Sequence, residues 1–239
     1  PKTNADIITY GMESNADLSP NNIDYEINGI QAQLQYNNTK FSINTNLIGK
    51  YNLYNLMAAI AVSIKMKIDI KIIEEALQLP LVIPGRLETI SVNVPGEVFL
   101  DYAHTPDAYE KLFITLSKLY SKEYKIYIIF GCGGNRDENK RAKMAEIAEK
   151  YAKYIIVTTD NPRTESIKKI NSDIIKGFKK NNYEIILDRK KAIFQMMNQM
   201  HDKAILLVLG KGRENYQEIG TEKLNHNDKE IIECYNNES

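Results

Sequence analysis

The chain has 239 residues, 43% hydrophobic and 26% charged, a balance that fits a soluble globular protein of one or two domains. Lys plus Arg and Asp plus Glu each number 31, so the formal net charge is zero and no basic excess supports a nucleic-acid groove. Cys132 and Cys234 are too few for a disulfide framework or a cysteine metal site. With strand-sized apolar runs and no signal peptide, the reading is a cytoplasmic protein with no nucleic-acid and no membrane partner. The sequence opens at Pro1 without an initiator Met, inside what already reads as a domain, and is expected to be a piece of a longer chain.

In chain order, Asp6 to Tyr10, Ile30 to Tyr36 and Lys40 to Thr45 read as short strands separated by Asn-rich turns. Asn52 to Met66 carries Leu53, Leu56, Met57, Ile60 and Ile64 at helical spacing, and a second helix is expected over Asp69 to Gln78. The segment LPLVIPGR, with Pro80, Pro84 and Gly85, reads as a boundary. Beyond it, Glu88 to Val94 and Val98 to Leu100 flank Pro95-Gly96 as a hairpin. Strands and helices then alternate: helix Pro106 to Tyr120, strand Lys125 to Phe130, helix Asn139 to Tyr151, strand Tyr154 to Thr158, helix Ile167 to Lys179, strand Glu184 to Leu187, helix Lys190 to Met200 and strand Ala204 to Leu209. This alternation predicts an α/β fold with a mainly parallel, helix-covered sheet.

The polar clusters fall at strand ends. DYAHTPD follows the Val98 strand, GCGGNRD the Lys125 strand, DNPR the Tyr154 strand and GKGRENY the Ala204 strand. In an open parallel sheet those carboxyl ends share one rim, where ligands bind, so four segments far apart in sequence are expected to converge. Each cluster also has a plainer reading. Gly131, Gly133 and Gly134 could serve only a sharp turn, or could bring N–H groups near an anion at a helix start. His104 could be a structural hydrogen-bonder, Asp160 a turn former, and Lys211 a solvated loop lysine. Asn52 and Asn55 share a helix face and form either a polar contact site or an exposed patch.

Taken together, GKYNLYNLMAAIA, PGRLE, DYAHTPDAYEK, FGCGGNRDENKR, TTDNPRTE and GKGRENYQEI resemble, in order, the Mur ligases, and within them the MurE type, the UDP-N-acetylmuramoyl-tripeptide synthetases. The resemblance covers the second half of such an enzyme. It implies that residues 1–83 end the α/β central (ATPase) domain and that residues 84–239 form a Rossmann-like carboxy-terminal domain. The implied reaction is ATP-dependent addition of meso-diaminopimelate to UDP-MurNAc-L-Ala-D-Glu through an acyl phosphate. Mg²⁺ would screen charge, held mostly outside this chain, and the enzyme would be a monomer. By the same resemblance, Asn52 and Asn55 lie near the nucleotide base, and Arg86 reaches the ATP phosphates as a catalytic group. Asp101 and His104 hold the ribose and base. Arg136 binds the carboxylate beside the reacting amine; Asp160, Asn161 and Arg163 receive the far end of the amino acid; and Gly210 with Glu214 takes its distal ammonium.

In the family that the sequence resembles, the DNPR form of the motif accompanies meso-diaminopimelate, and the physics agrees, because a planar guanidinium can hold its second carboxylate bidentately. Lysine lacks that group and is expected to leave Arg163 unpaired, at a cost of at least roughly 1–3 kcal/mol. The sequence departs from the family pattern at Arg213, where His is usual and where a cation is expected to pair with Glu214. It departs also at Ser166-Ile167 and at Asn135, where Asp is common. The phosphate-binding loop and the UDP-binding domain have no counterpart in these residues, so the chain is expected to be inactive alone. The alternative is a non-catalytic module that binds amino acid or nucleotide. A nicotinamide-dependent oxidoreductase ranks far behind, since GCGG lacks the third glycine of a dinucleotide fingerprint.

Overall fold

The computed structural model describes residues 4–13 and 15–238. The chain divides into two compact units, Pro1–Val82 and Ile83–Ser239.

The first unit packs an antiparallel meander against two helices. Strands β1 (Leu18–Glu26), β2 (Gly29–Tyr36) and β3 (Thr39–Thr45) pair in that order, with Leu18 opposite Tyr36 and Ile30 opposite Thr45. On β3, Phe41, Ile43 and Thr45 are buried while Lys40, Ser42 and Asn44 are exposed, the period of two that a half-buried strand requires. A two-residue Asn37-Asn38 connection, with Asn37 at φ 52°, closes β2 onto β3; Asn tolerates that left-handed backbone. Helix α1 (Lys50–Lys65) buries Leu53, Leu56, Met57 and Ile60 against the sheet residues Leu18, Ile30, Leu34 and Ile43. Helix α2 (Ile70–Gln78) starts at Asp69, whose carboxylate accepts from the Lys71 N–H at 2.8 Å. The strand expected over Asp6 to Tyr10 is reduced to one bridge, Tyr10 with Leu18, and the first full strand is β1 instead. Its LSPNNIDYE sequence hides the strand because Pro20 sits where the register slips, a position that tolerates a residue without an N–H.

The second unit is a six-stranded sheet in the order β4-β5-β9-β6-β7-β8. Strand β4 (Glu88–Thr89) is a two-residue stub antiparallel to β5 (Glu97–Asp101), far shorter than the expected Glu88 to Val94. The rest is parallel: β5, then α3 (Pro106–Leu119), β6 (Lys125–Phe130), α4 (Asn139–Tyr151), β7 (Ala152–Val157), α5 (Ile167–Ile175), β8 (Tyr183–Ile185), α6 (Arg189–Met197) and β9 (Ala204–Leu209). A hairpin of β10 (Tyr216–Ile219) and β11 (Glu222–Asn225) and helix α7 (Asp228–Glu238) complete the unit. Helix α3 shows the local logic. Thr105 caps it through the Ala108 N–H, Pro106 opens it, and Tyr109, Leu112, Phe113 and Leu116 form its buried stripe.

Strand β9 is the last of the parallel strands in sequence, yet it lies between β5 and β6, and all six of its residues are buried. Covering both faces stabilises by about 1.5–3 kcal/mol per large aliphatic side chain, which is why this strand reads as one apolar run. The insertion has a geometric consequence: the carboxyl ends of β5, β9, β6 and β7 stand side by side.

Candidate functional site

The loops leaving those four ends enclose a cavity of about 270 Å³. Of the residues expected to bind ligand, His104, Arg136, Asp160, Asn161, Arg163, Gly210 and Glu214 line it, together with Tyr102, Cys132 and Lys140. Arg86 stands outside the lining but lies over the Tyr102 ring, 5.4 Å from its centroid. Asp101 is buried beneath the loops: one oxygen accepts from the Leu87 N–H at 2.6 Å and the other from the Ala103 N–H at 2.7 Å. Its carboxylate thus ties the turn that carries Arg86 to the end of β5. Burial pushes the Asp101 carboxyl above its ordinary range, although those two N–H groups and the Arg86 and His104 charges oppose the rise. Asn52 and Asn55 belong to the first unit. Asn52 is buried, donating to the Ile48 carbonyl at 2.9 Å and accepting from exposed Asn55 at 3.4 Å.

The glycines of GCGG serve close approach. A Cβ on Gly131 would fall 2.2 Å from the Thr158 carbonyl, and one on Gly134 would fall 1.9 Å from that of Pro162. Neither residue has a positive φ, so it is the space beside the DNPR loop, more than an unusual turn, that excludes a side chain. Asn135 completes the junction. Its amide oxygen accepts from the Thr164 N–H and hydroxyl, at 3.2 and 3.0 Å, so the Asn found where Asp is common holds the two loops together.

Lys211 was open to reading as a solvated lysine; it is fully buried. Its ammonium donates to Asn161 Oδ1 at 2.9 Å and to Glu214 Oε2 at 3.0 Å. Asn161 Nδ2 donates to the same Glu214 oxygen at 2.8 Å, and Asn161 Oδ1 also accepts from the Glu218 N–H at 2.9 Å. The partner of Glu214 is therefore this buried lysine and not Arg213, which is exposed. The Tyr102 hydroxyl stands 3.5 Å from the other Glu214 oxygen. Asp160 accepts from the Asn161 N–H at 2.7 Å, and a Cβ on Gly210 would lie 2.9 Å from its second oxygen.

Arg163 corrects a second expectation. Its Nε is 2.9 Å from Glu218 Oε2, and its Nη1 donates to the Gly134 carbonyl at 2.9 Å. The guanidinium already has a carboxylate partner, and the two side chains are 22% and 27% exposed. The cost expected for an unpaired Arg163 with lysine bound therefore does not arise. The residue has φ 52°, and its backbone is clamped by the hairpin: its N–H donates to the Glu218 carbonyl at 3.0 Å and its carbonyl accepts from the Gly220 N–H at 2.8 Å. Arg136, exposed at the cavity, belongs to none of these pairs.

Buried charge behind the cavity holds its loops together. Arg141, fully buried on α4, donates through both terminal nitrogens to Glu165 at 2.7 Å each, and also to Asp173 at 3.1 Å and the Gly133 carbonyl at 3.2 Å. The Arg141 hydrogen bonds pull the Glu165 carboxyl down to about 2. Sequence reasoning missed Lys211, Arg141 and Glu218, whose partners become visible only after folding. Burial pushes the Cys132 thiol up to about 12, with the nearby Asp160 charge adding to the rise, so this cavity cysteine is a neutral thiol and a poor nucleophile. Among the described residues no group of three or more His, Cys, Asp or Glu side chains is disposed to hold a metal ion, and no helix is long and apolar enough to cross a membrane.

The cavity carries charges of both signs: Arg136 and Arg163 are cationic, and Asp160 and Glu214 are carboxylates on the same lining. Residues 85–212 match the model of the Mur ligase, glutamate ligase domain, and residues 1–63 match the Mur ligase middle domain. A UDP-N-acetylmuramoyl-L-alanyl-D-glutamate--2,6-diaminopimelate ligase of Chlamydia abortus is 39% identical over 231 residues, which is 96% of this chain and 47% of that protein. The protein of the same name from Fusobacterium nucleatum is also 39% identical, over 95% of this chain and 46% of its own length. A solved structure of a ligase with that name aligns with TM-score 0.64 and 31% identity, over 97% of this chain and 47% of the other. Mycobacterium tuberculosis folylpolyglutamate synthase aligns with TM-score 0.69 at 18% identity over 82% of this chain and 46% of the other, a likeness of fold alone. The chain spans about half the length of the curated relatives it matches, and within that span it belongs to the Mur ligase family.

Proposed function

We propose that the cavity binds meso-diaminopimelate, in keeping with the relatives named as 2,6-diaminopimelate ligases, and that the chain is the amino-acid-binding half of an ATP-dependent ligase. The observation that carries this reading is the placement of two arginines, Arg136 and Arg163, on one cavity that also holds Asp160 and Glu214. A molecule with two ammonium and two carboxylate groups carries an opposite charge for each of the four, beside the pairs that Arg163 makes with Glu218 and Glu214 with Lys211. In the ligation, the terminal carboxylate of UDP-MurNAc-L-Ala-D-Glu is activated as an acyl phosphate at the expense of ATP. The amine beside Arg136 then attacks that carbonyl, an N–C bond forms, the C–O bond to phosphate breaks, and the amine loses a proton. This chain's residues contribute orientation and charge balance, which is where most of the rate of such a reaction arises. Arg86, next to the Gly85 turn and held against Tyr102, is the group assigned to the ATP phosphates; Asp101 supports that turn, and His104 is assigned to the nucleotide. Asn52 and Asn55 are assigned to the nucleotide base. The Mg²⁺ that the family uses is assigned to ligands mostly outside this chain.

Isothermal titration of the chain with meso-diaminopimelate and with L-lysine tests the reading. The expected result is tighter binding of diaminopimelate, with Arg163→Ala removing most of the difference. A hydrogen bond to a charged group contributes roughly 1.5–3 kcal/mol, so the loss is on the order of tenfold to a hundredfold in affinity for diaminopimelate alone. Equal binding of both amino acids by the unsubstituted chain would overturn it.

A further inference from the structure

We infer that Glu218 is a positioning and specificity-determining residue. Its carboxylate orients the Arg163 guanidinium and, as the resident counter-ion, sets how strongly the cavity favours a ligand with a carboxylate at its far end. The inference rests on the reading of the cavity as a diamino-dicarboxylate site. Glu218 lies on β10, outside the four strand-end loops, and nothing in the strand-end pattern points to it.

Three observations support the inference. The first is the pairing itself, Arg163 Nε to Glu218 Oε2 at 2.9 Å. The second is that the guanidinium is held at another corner, with Nη1 donating to the Gly134 carbonyl at 2.9 Å and to that of Asn161 at 3.4 Å. A guanidinium is rigid and planar, so fixing Nε and Nη1 also fixes Nη2, which takes part in neither contact and is left for a second carboxylate. Gly133 preserves this geometry, because a Cβ there would lie 3.1 Å from Nη1. The third is that Glu218 is itself tied to the loop it serves: its N–H donates to Asn161 Oδ1 at 2.9 Å and its carbonyl accepts from the Arg163 N–H at 3.0 Å. The hairpin and the DNPR loop are therefore tied together through the backbone, which presents the carboxylate to Arg163.

Two effects of Glu218 act in opposite directions. Orienting Arg163 favours a dicarboxylate. Neutralising Arg163 reduces the advantage of a dicarboxylate, because a ligand lacking the second carboxylate no longer leaves the cation without a partner. Glu218→Gln separates them: the amide oxygen still accepts from Nε, but the charge is gone. Glu218→Ala removes both. Titration of the full chain with meso-diaminopimelate and L-lysine, at fixed pH and ionic strength, reads the ratio of the two affinities. For Glu218→Gln the ratio is expected to rise about twofold to fivefold in favour of diaminopimelate, the size of a partly screened ion pair. For Glu218→Ala diaminopimelate affinity is expected to fall by about tenfold, with lysine affinity nearly unchanged. An unchanged or lower ratio in Glu218→Gln, or unsubstituted diaminopimelate affinity in Glu218→Ala, overturns the inference. Equal loss of both ligands together with a lowered melting temperature shows a purely structural role and overturns it too. An unsubstituted chain that does not distinguish the two amino acids instead overturns the cavity reading, and that outcome is visible before any variant is compared.

Discussion

Three cations in the second unit are buried, Arg141, Arg189 and Lys211, and the last two differ in what surrounds them. Arg189 donates from Nε and Nη2 to Asp228 at 2.8 and 2.7 Å and from Nη2 to the Leu209 carbonyl at 2.9 Å; Asp228 is as buried as its partner. None of these residues lines the cavity, and the pair fastens α6 and the start of α7 to the end of β9. Burial opposes ionisation of Asp228 most strongly, but the Arg189 charge and the hydrogen bonds from His226 and Arg189 outweigh it and hold the carboxyl below its ordinary range. Lys211 donates instead to Asn161 and Glu214, both of which line the cavity, and the Glu214 side chain is 20% exposed. One buried charge closes the fold; the other braces two residues of the cavity wall. Burial of a charge by itself therefore does not distinguish architecture from function. The exposure of the partner does.

That contrast breaks most visibly at Arg189. Arg189→Leu leaves Asp228 buried without its main counter-ion and is expected to cost about 3–5 kcal/mol of unfolding free energy in urea titrations. Adding Asp228→Leu should restore much of the loss, because removing both charges is far less costly than stranding one. Lys211→Met should cost less, about 1–3 kcal/mol, since Glu214 keeps the Asn161 amide and some water. Its diaminopimelate affinity should nevertheless fall at least about tenfold, as Glu214 and Asn161 lose the group that orients them. Equal stability losses for the two variants, or full ligand affinity in Lys211→Met, would dissolve the distinction between the two cations.

The smallest effect is expected in acid, at the Arg141–Glu165 pair. The folded Glu165 carboxyl titrates near 2 and the unfolded one near 4.5, so the pair contributes its full stability above that upper value. The contribution declines as pH falls from about 4.5 toward about 2. Glu165→Gln should flatten this part of the melting-temperature profile while leaving its shape above pH 5 unchanged, as read by thermal denaturation across pH.

Much of the sheet was legible because its signals are local. Strand β6, helix α4 and strand β9 have the limits that periodicity and apolar runs suggest, since a strand covered on both faces must be continuously apolar and an amphipathic helix must repeat near every third or fourth residue. Elements whose residues are mostly exposed were not. Strand β1 hides behind Pro20 and paired asparagines, and the β10–β11 hairpin, YQEI and EKLN, carries polar residues on both faces. The strand-end clusters also pointed to the cavity, because a parallel sheet places its carboxyl ends on one rim. The partners within the cavity were not legible, since the sequence does not say which carboxylate meets which cation. Glu214 was assigned a neighbour by adjacency, Arg213, and took Lys211 instead.

By itself the sequence determined the alternation of strands and helices, the four polar clusters and the family resemblance, since these depend on spacing along the chain. Only the tertiary structure decided that Arg163 meets Glu218, that Arg141 meets Glu165 24 residues away, and that Lys211 meets Asn161 50 residues away. The physical reason is that an ion pair's contribution depends on distance, orientation and exclusion of water. In this chain the parallel sheet supplies the distances by setting the carboxyl ends of β5, β9, β6 and β7 on one rim.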